Sequence, residues 1–200
     1  MPPDLSHERL LAREAGGWPL GIDEVGRGPL AGPVLAAAVR LHPDRVPPGL
    51  ADSKTLSPDR RRALDRAVRE AALAVGIGLA SAAEVDALNV HHATLLAMRR
   101  AAAAAGGGPV LVDGRFVPPG LVGRALVRGD ALSASVAAAS VVAKVARDTI
   151  MAALSQHHPF YGWERNAGYG TAEHRAALLQ HGVTPHHRRT FGTVHKMLCP

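Results

Sequence analysis

Four acidic side chains sit where a chain seldom places charge. Asp23 and Glu24 stand between Gly21-Ile22 and Val25-Gly26, inside an apolar stretch. Asp113 directly follows the apolar run Val110-Leu111-Val112, and Asp130 follows Ala125–Arg128 after a single glycine. Each is therefore read at or near the end of a strand, and strand ends of α/β sheets gather into one cleft. Several carboxylates in one poorly solvated cleft repel one another. A divalent cation removes that penalty. An all-oxygen ligand set favours Mg²⁺ or Mn²⁺ over zinc, for which the sequence offers no Cys/His cluster of ligand spacing. Taken singly, each acid also reads as a strand-end cap or half of an ion pair; taken together they point to a metal-holding centre. Adjacent strand residues project to opposite faces, so Asp23 and Glu24 reach one ion only if the strand ends or bulges there.

Groups suited to phosphate and sugar lie close by. Gly26-Arg27-Gly28 lets backbone amides approach a ligand and adds a guanidinium, although the same triplet also reads as a plain tight turn. Asp52–Ser57 (DSKTLS) brings hydroxyls and Lys54 to a helix start, a place that binds anions and that Ser57 also simply caps. Tyr169, between Gly168 and Gly170, is placed to stack on a sugar or base, or to pack at a loop corner. His157-His158 and His186-His187 read as solvated basic surface, the latter flanking Arg188-Arg189, which suits a phosphate backbone. Lys144 and Arg147 serve phosphates or neutralise acids, and Asp148 reads first as an ion-pair partner.

These residues need a scaffold. Pro19–Val25, Gly32–Leu41, Val75–Ala80, Val110–Val112 and Ala125–Arg128 read as strands. Ser57-Pro58 opens a helix to about Ala74. Ser81–Glu84 is a capping-box pattern for a helix ending near Asn89, followed by another over His92–Ala105. Ser133 to Gln156 is a long helix rich in alanine and valine, and Thr171 caps a helix closed by Gly182. Residues 1–17 read as an N-terminal arm, and 18–200 as one domain whose part from about 155 is helical. Early hairpin-like strands followed by helix-linked strands predict a mixed α/β sheet.

The 200 residues suit one domain. At 47% hydrophobic and 20% charged, composition is that of an ordinary globular chain. Alanine runs such as Ala101–Ala105 read as helix-friendly filler. A formal net charge of +6 favours polyanionic partners, nucleic acid above all, without requiring one. One thiol, Cys199, forms no internal disulfide and suits a reducing compartment. No apolar run of about 18 residues predicts a membrane span, and the first residues carry no secretory pattern.

Taken in chain order, Gly21–Val39, Asp52–Ser57, Val110–Gly114, Gly129–Asp148, Gly168–His174 and His187–Phe191 resemble the ribonuclease HII family over nearly the whole chain. The resemblance implies a ribonuclease H-like fold: a five-stranded mixed sheet flanked by helices, with a small helical C-terminal part. It implies that Asp23, Glu24, Asp113 and Asp130 are the catalytic, metal-binding acids, served by two Mn²⁺ or Mg²⁺ ions. It makes Gly26, Arg27 and Gly28 the loop that contacts the ribonucleotide at an RNA–DNA junction, with Tyr169 beside it. Lys54, Ser133 and Lys144 fall in segments that the family uses near phosphates. Thr55, Ala134 and Arg165-Asn166 depart from the family's commoner residues, and none of them touches the acids.

The implied activity is hydrolysis of the RNA strand of RNA/DNA hybrids and cutting 5′ to single ribonucleotides in duplex DNA, leaving 5′-phosphate and 3′-hydroxyl ends. The expected partners are those two nucleic acids, with no membrane, and the chain is expected to be a cytoplasmic monomer. Two alternatives remain: another nuclease on the same fold, of junction-resolvase type, and a non-catalytic nucleic-acid binding module. The second leaves a cluster of acids inside a basic protein unexplained.

Overall fold

A computed structural model of the chain describes residues 2–51 and 53–199; Asp52 and the side chain of Lys54 lie outside the described residues. Helix α1 (Ser6–Ala15) leads into strands β1 (Leu20–Val25) and β2 (Val34–Leu41), which pair antiparallel. Helix α2 (Pro58–Ala71) is followed at once by β3 (Ala72–Ala80), antiparallel to β2. Helix α3 (Ala82–Ala104) and strands β4 (Val110–Asp113) and β5 (Gly123–Leu126) follow, β4 lying parallel to both β1 and β5. The resulting five-stranded mixed sheet runs β3-β2-β1-β4-β5. Helices α4 (Ala134–His157), α5 (Trp163–Asn166), α6 (Ala172–His181) and α7 (Gly192–Leu198) complete the chain.

Local chemistry sets most of these boundaries. Ser57 Oγ accepts from Arg60 N, with Pro58 in the first turn of α2. Ser81 and Glu84 form a full capping box at the start of α3. Thr171 caps α6 and Gly182 closes it. The break expected at Asn89 is a kink within α3: Asn89 has φ 64° and its side chain accepts from the amides of His91 and His92, which restarts the helix. The boundaries of β3 and β5 differ from expectation. β3 begins at Ala72 rather than Val75, because a register shift between Arg40 and Leu41 lets Ala72 pair with Leu41. β5 begins at Gly123 rather than Ala125, and ends at Leu126 instead of Arg128, whose φ of 61° turns the chain away.

Alternation along β2 separates two cores. Leu35, Ala37, Val39 and Leu41 meet α4 and the inner side of α2, whereas Val34, Ala36 and Ala38 meet α3. Both helices approach the sheet closely because the contacts are small. A Cβ at Gly21 would lie 2.1 Å from the backbone carbon of Ser135, and one at Gly78 would lie 2.2 Å from the carbonyl oxygen of Ala97. The alanines are therefore packing faces. A third cluster, around Met151, Tyr161, Trp163 and Leu178, joins α5–α7 to the outer half of α4 and to Leu30-Ala31.

The start of α4 is held from the N-terminal side. The carboxylate of Glu8, fully buried, accepts from Ser133 Oγ at 2.6 Å and from Ser135 N at 2.8 Å. The backbone of Asp4 bridges Ser133 and accepts from Ala134 N.

Candidate active site

β1 pairs with β4 only as far as Ile22 opposite Val112. Beyond that point β4 ends at Asp113, and the edge of β1 carrying Asp23 and Glu24 is open toward it. Carboxylate oxygens of Asp23, Glu24 and Asp113 all come within 4.8 Å of one another. The pairing of β1 with β2 stays regular through Val25 opposite Leu35, so no bulge is needed. The strand simply ends one residue after Glu24, at Val25, and Gly26 with φ 89° turns the chain.

The electrostatics match the geometry. Asp23 is 7% exposed, and burial, followed by the negative charges of Glu24 and Asp113, pushes its carboxyl well above the usual carboxylate range. Burial also raises Glu24; Arg27, 3.5 Å away, opposes that rise and Asp113 adds to it. Asp113 is oriented by Gly129 N, which donates to its Oδ1 at 2.7 Å. Asp130 follows that glycine in the short turn Gly129–Ala131, half-buried, and stands outside the group of three. Oxygen donors alone, held close against mutual repulsion and partly desolvated, suit a hard divalent cation.

A cavity of about 270 Å³ opens beside the acids, lined by Glu24, Asp113, Arg27, His91, Arg115 and Phe116. The last three were not singled out from the sequence. Arg115-Phe116 could have been, since they follow Asp113-Gly114 directly; His91 is brought in only by the kink at Asn89.

The glycine loop and the tyrosine meet. Tyr169 is 48% exposed, and a Cβ at Gly28 would lie 3.5 Å from its ring. The backbone of Tyr169 is fixed by a buried histidine pair. Thr184 N donates to His187 Nδ1 at 3.0 Å, which leaves the proton of neutral His187 on Nε2, aimed at His174 Nε2 3.0 Å away. Trp163 Nε1 also donates to His174 Nε2, so His174 carries its proton on Nδ1 and donates to the carbonyl oxygen of Tyr169 at 2.9 Å.

Other expectations need correction. His187 and Arg188 are 1% and 0% exposed, so they are interior groups and not basic surface; Arg189 alone of that segment is exposed. Arg147 is likewise fully buried and donates to the backbone oxygens of Ala31, Pro33 and Ala167 instead of meeting phosphates. Ser133 is fully buried, its hydroxyl engaged with Glu8 and with Val136 N at the cap of α4, so a phosphate contact does not fit it. Asp148, by contrast, is the ion-pair partner expected, joined to Lys144 and Arg61. Lys144, half-buried, is engaged with Asp148, while the Lys54 side chain lies outside the described residues.

The family model described as Ribonuclease HII matches residues 20–195. The chain belongs to the ribonuclease HII family. The ribonuclease HII of Cereibacter sphaeroides is 54% identical over 200 residues, covering 98% of this chain and 94% of that protein. That of a Jannaschia species is 53% identical over 203 residues, covering all of both. Among solved structures, one of a PCNA:RNase HII complex from Archaeoglobus fulgidus aligns with TM-score 0.74 at 25% identity, over 86% of this chain and 94% of that one. Ribonuclease H2 from Pyrococcus horikoshii aligns with TM-score 0.71 at 24% identity, over 89% and 95%, and shares the fold. As a ribonuclease HII the chain is a metal-dependent endoribonuclease.

Proposed function

We propose that this ribonuclease HII cuts the RNA strand of RNA/DNA hybrids and also cuts 5′ to single ribonucleotides in duplex DNA, leaving 5′-phosphate and 3′-hydroxyl ends. The observation that carries the reading is the meeting of two features: three carboxylates within 4.8 Å of one another, and, immediately after two of them in the chain, a glycine loop lying against an exposed tyrosine.

Asp23, Glu24 and Asp113, with Asp130 on the adjoining turn, would hold two Mg²⁺ or Mn²⁺ ions. When bound, such ions supply positive charge to the phosphate in the transition state and make a water a stronger nucleophile at neutral pH. The protein's own work is positional. Gly129 N fixes the Asp113 carboxylate, and Arg27 restrains Glu24. The amides of the Gly26–Gly28 loop, which directly follows two of the acids, would read a 2′-hydroxyl, the group that distinguishes RNA from DNA. Tyr169 offers a ring face to the next sugar, where a deoxyribose fits and a 2′-hydroxyl would clash.

The test is cleavage of a duplex with one embedded ribonucleotide, beside an all-DNA duplex and a long RNA/DNA hybrid. Cutting 5′ to the ribonucleotide is expected only with Mg²⁺ or Mn²⁺ present, and Asp113→Asn should abolish it while the protein stays folded. Full activity in chelator, or in both Asp23→Asn and Asp113→Asn, would overturn the reading.

A further inference from the structure

Beneath the Gly26–Gly28 loop lie two buried guanidinium groups that, among the described residues, form no ion pair with a carboxylate. An unpaired buried charge is costly unless its hydrogen bonds are met. Here they are met by backbone oxygens. Arg188 donates to Gly26 O at 2.5 Å, to Arg27 O at 2.9 Å and, from Nε and Nη2, to Gly32 O at 3.1 and 2.9 Å. Burial first, then the positive charge of Arg147, lowers Arg188 to about 9, with Asp86 and Tyr169 opposing the fall. The guanidinium therefore stays charged at neutral pH.

The direction of these bonds matters. In a trans peptide the carbonyl and the amide of one unit point in opposite directions, and the described chain has no cis peptide. Gly26 O shares its unit with Arg27 N, and Arg27 O with Gly28 N. Drawing both oxygens inward onto Arg188 therefore turns both N–H groups outward, on residues that are themselves exposed. Among the described residues neither N–H finds a protein acceptor. Gly26 also has no room for a side chain, since a Cβ there would lie 2.1 Å from Arg147 Nε.

We propose that Arg188 is a positioning residue for substrate selection: by holding the Gly26 and Arg27 carbonyls, it presents the Arg27 and Gly28 amides to the ribose 2′-hydroxyl. The proposal rests on the reading of this loop as the ribonucleotide contact. Lysine keeps the charge but not the planar fork that reaches three oxygens at once; methionine keeps bulk without donors.

Binding of two duplexes, one all-DNA and one with a single ribonucleotide, is to be measured in chelator for the parent, Arg188→Lys and Arg188→Met. The parent should prefer the ribonucleotide duplex. Both variants should lose roughly ten-fold of that preference, as expected for one or two misaimed hydrogen bonds, with all-DNA affinity within about two-fold. A parallel loss for both duplexes is what a merely structural arginine gives, and it overturns the proposal; so does a retained preference, or a parent without one. Where neither variant folds, amide resonances of the ¹⁵N-labelled parent decide. Arg27 and Gly28 should shift more on adding the ribonucleotide duplex than on adding the all-DNA duplex, and equal shifts overturn the proposal. Failure of the underlying reading shows separately, as a parent that does not cut the single-ribonucleotide duplex with Mg²⁺ or Mn²⁺ present.

Discussion

Asp23 is under two opposed demands. Its burial beside Glu24 and Asp113 disfavours the charged form, yet only the charged form ligates a cation well. Without metal the side chain should therefore destabilise the fold. In chelator, Asp23→Asn is expected to raise the melting temperature by about 2–4 °C, the shift that ~1 kcal/mol gives a chain of this size. Adding Mg²⁺ or Mn²⁺ should then stabilise the parent and not the variant. A variant that melts below the parent in chelator would show that the carboxylate is satisfied by the protein alone. Tyr169 permits a second test at the same scale. Tyr169→Ala should lose roughly ten-fold in cutting at a single ribonucleotide and less on a long hybrid, with Tyr169→Phe near the parent, because a ring face and not the hydroxyl is used. Equal losses on both substrates would count against a sugar-reading role. The acids were legible in the sequence because charge inside apolar strand residues is conspicuous. Arg147, Arg188 and His187 were not, because a basic residue in a basic chain looks like surface until the groups that hold it are located.

The elements owe their closeness to small residues. β1 lies so near α4 at Gly21 that no side chain fits there. Gly21→Ala is expected to destabilise by about 1–3 kcal/mol, the usual range for overpacking, as measured by denaturant unfolding. Gly192, in the first turn of α7 with open space around it, is the control: Gly192→Ala should be neutral or stabilising by up to ~1 kcal/mol. A Gly21→Ala protein as stable as the parent would contradict the backbone contact. Helix starts were legible because Ser57, Ser81 and Thr171 cap by local chemistry. The alanine runs misled, since one sequence does not separate filler from a face that must lie flat on a sheet; Ala97 and Ala101 acquire meaning only opposite Gly78 and Gly76. The early start of β3 was hidden for a related reason, because it depends on a register shift set by β2.

At the scale of the molecule, the segments of the C-terminal part are fastened to one another through uncharged histidines. Burial, then the neighbouring His174, His158 and His186, lowers His187 to about 3, and burial lowers His174 against the opposing pull of its hydrogen bond to the Tyr169 backbone. His187 is therefore neutral in the folded protein at mild acidity, while the unfolded chain takes up a proton there near pH 6.5. Stability is therefore full above that pH and falls as the medium is acidified toward about 3, by up to ~1.4 kcal/mol per pH unit for His187, with His174 acting in the same direction. Denaturant unfolding at pH 7.5, 6 and 5 should show the decline, and His187→Gln should flatten it; an unchanged slope would assign the acid sensitivity elsewhere. The net charge of +6 adds self-repulsion in the same direction but does not depend on this one side chain.

The buried carboxylate of Glu8 gives the first helix a reach beyond its own size. It clasps the turn of α4 that begins three residues after Asp130, so a proteolytic nick at Gly16-Gly17 that let the leading peptide drift off would strip the polar lid from that helix end. Catalysis would then falter from an injury outside the acid cluster, and supplying the severed peptide in trans should revive it.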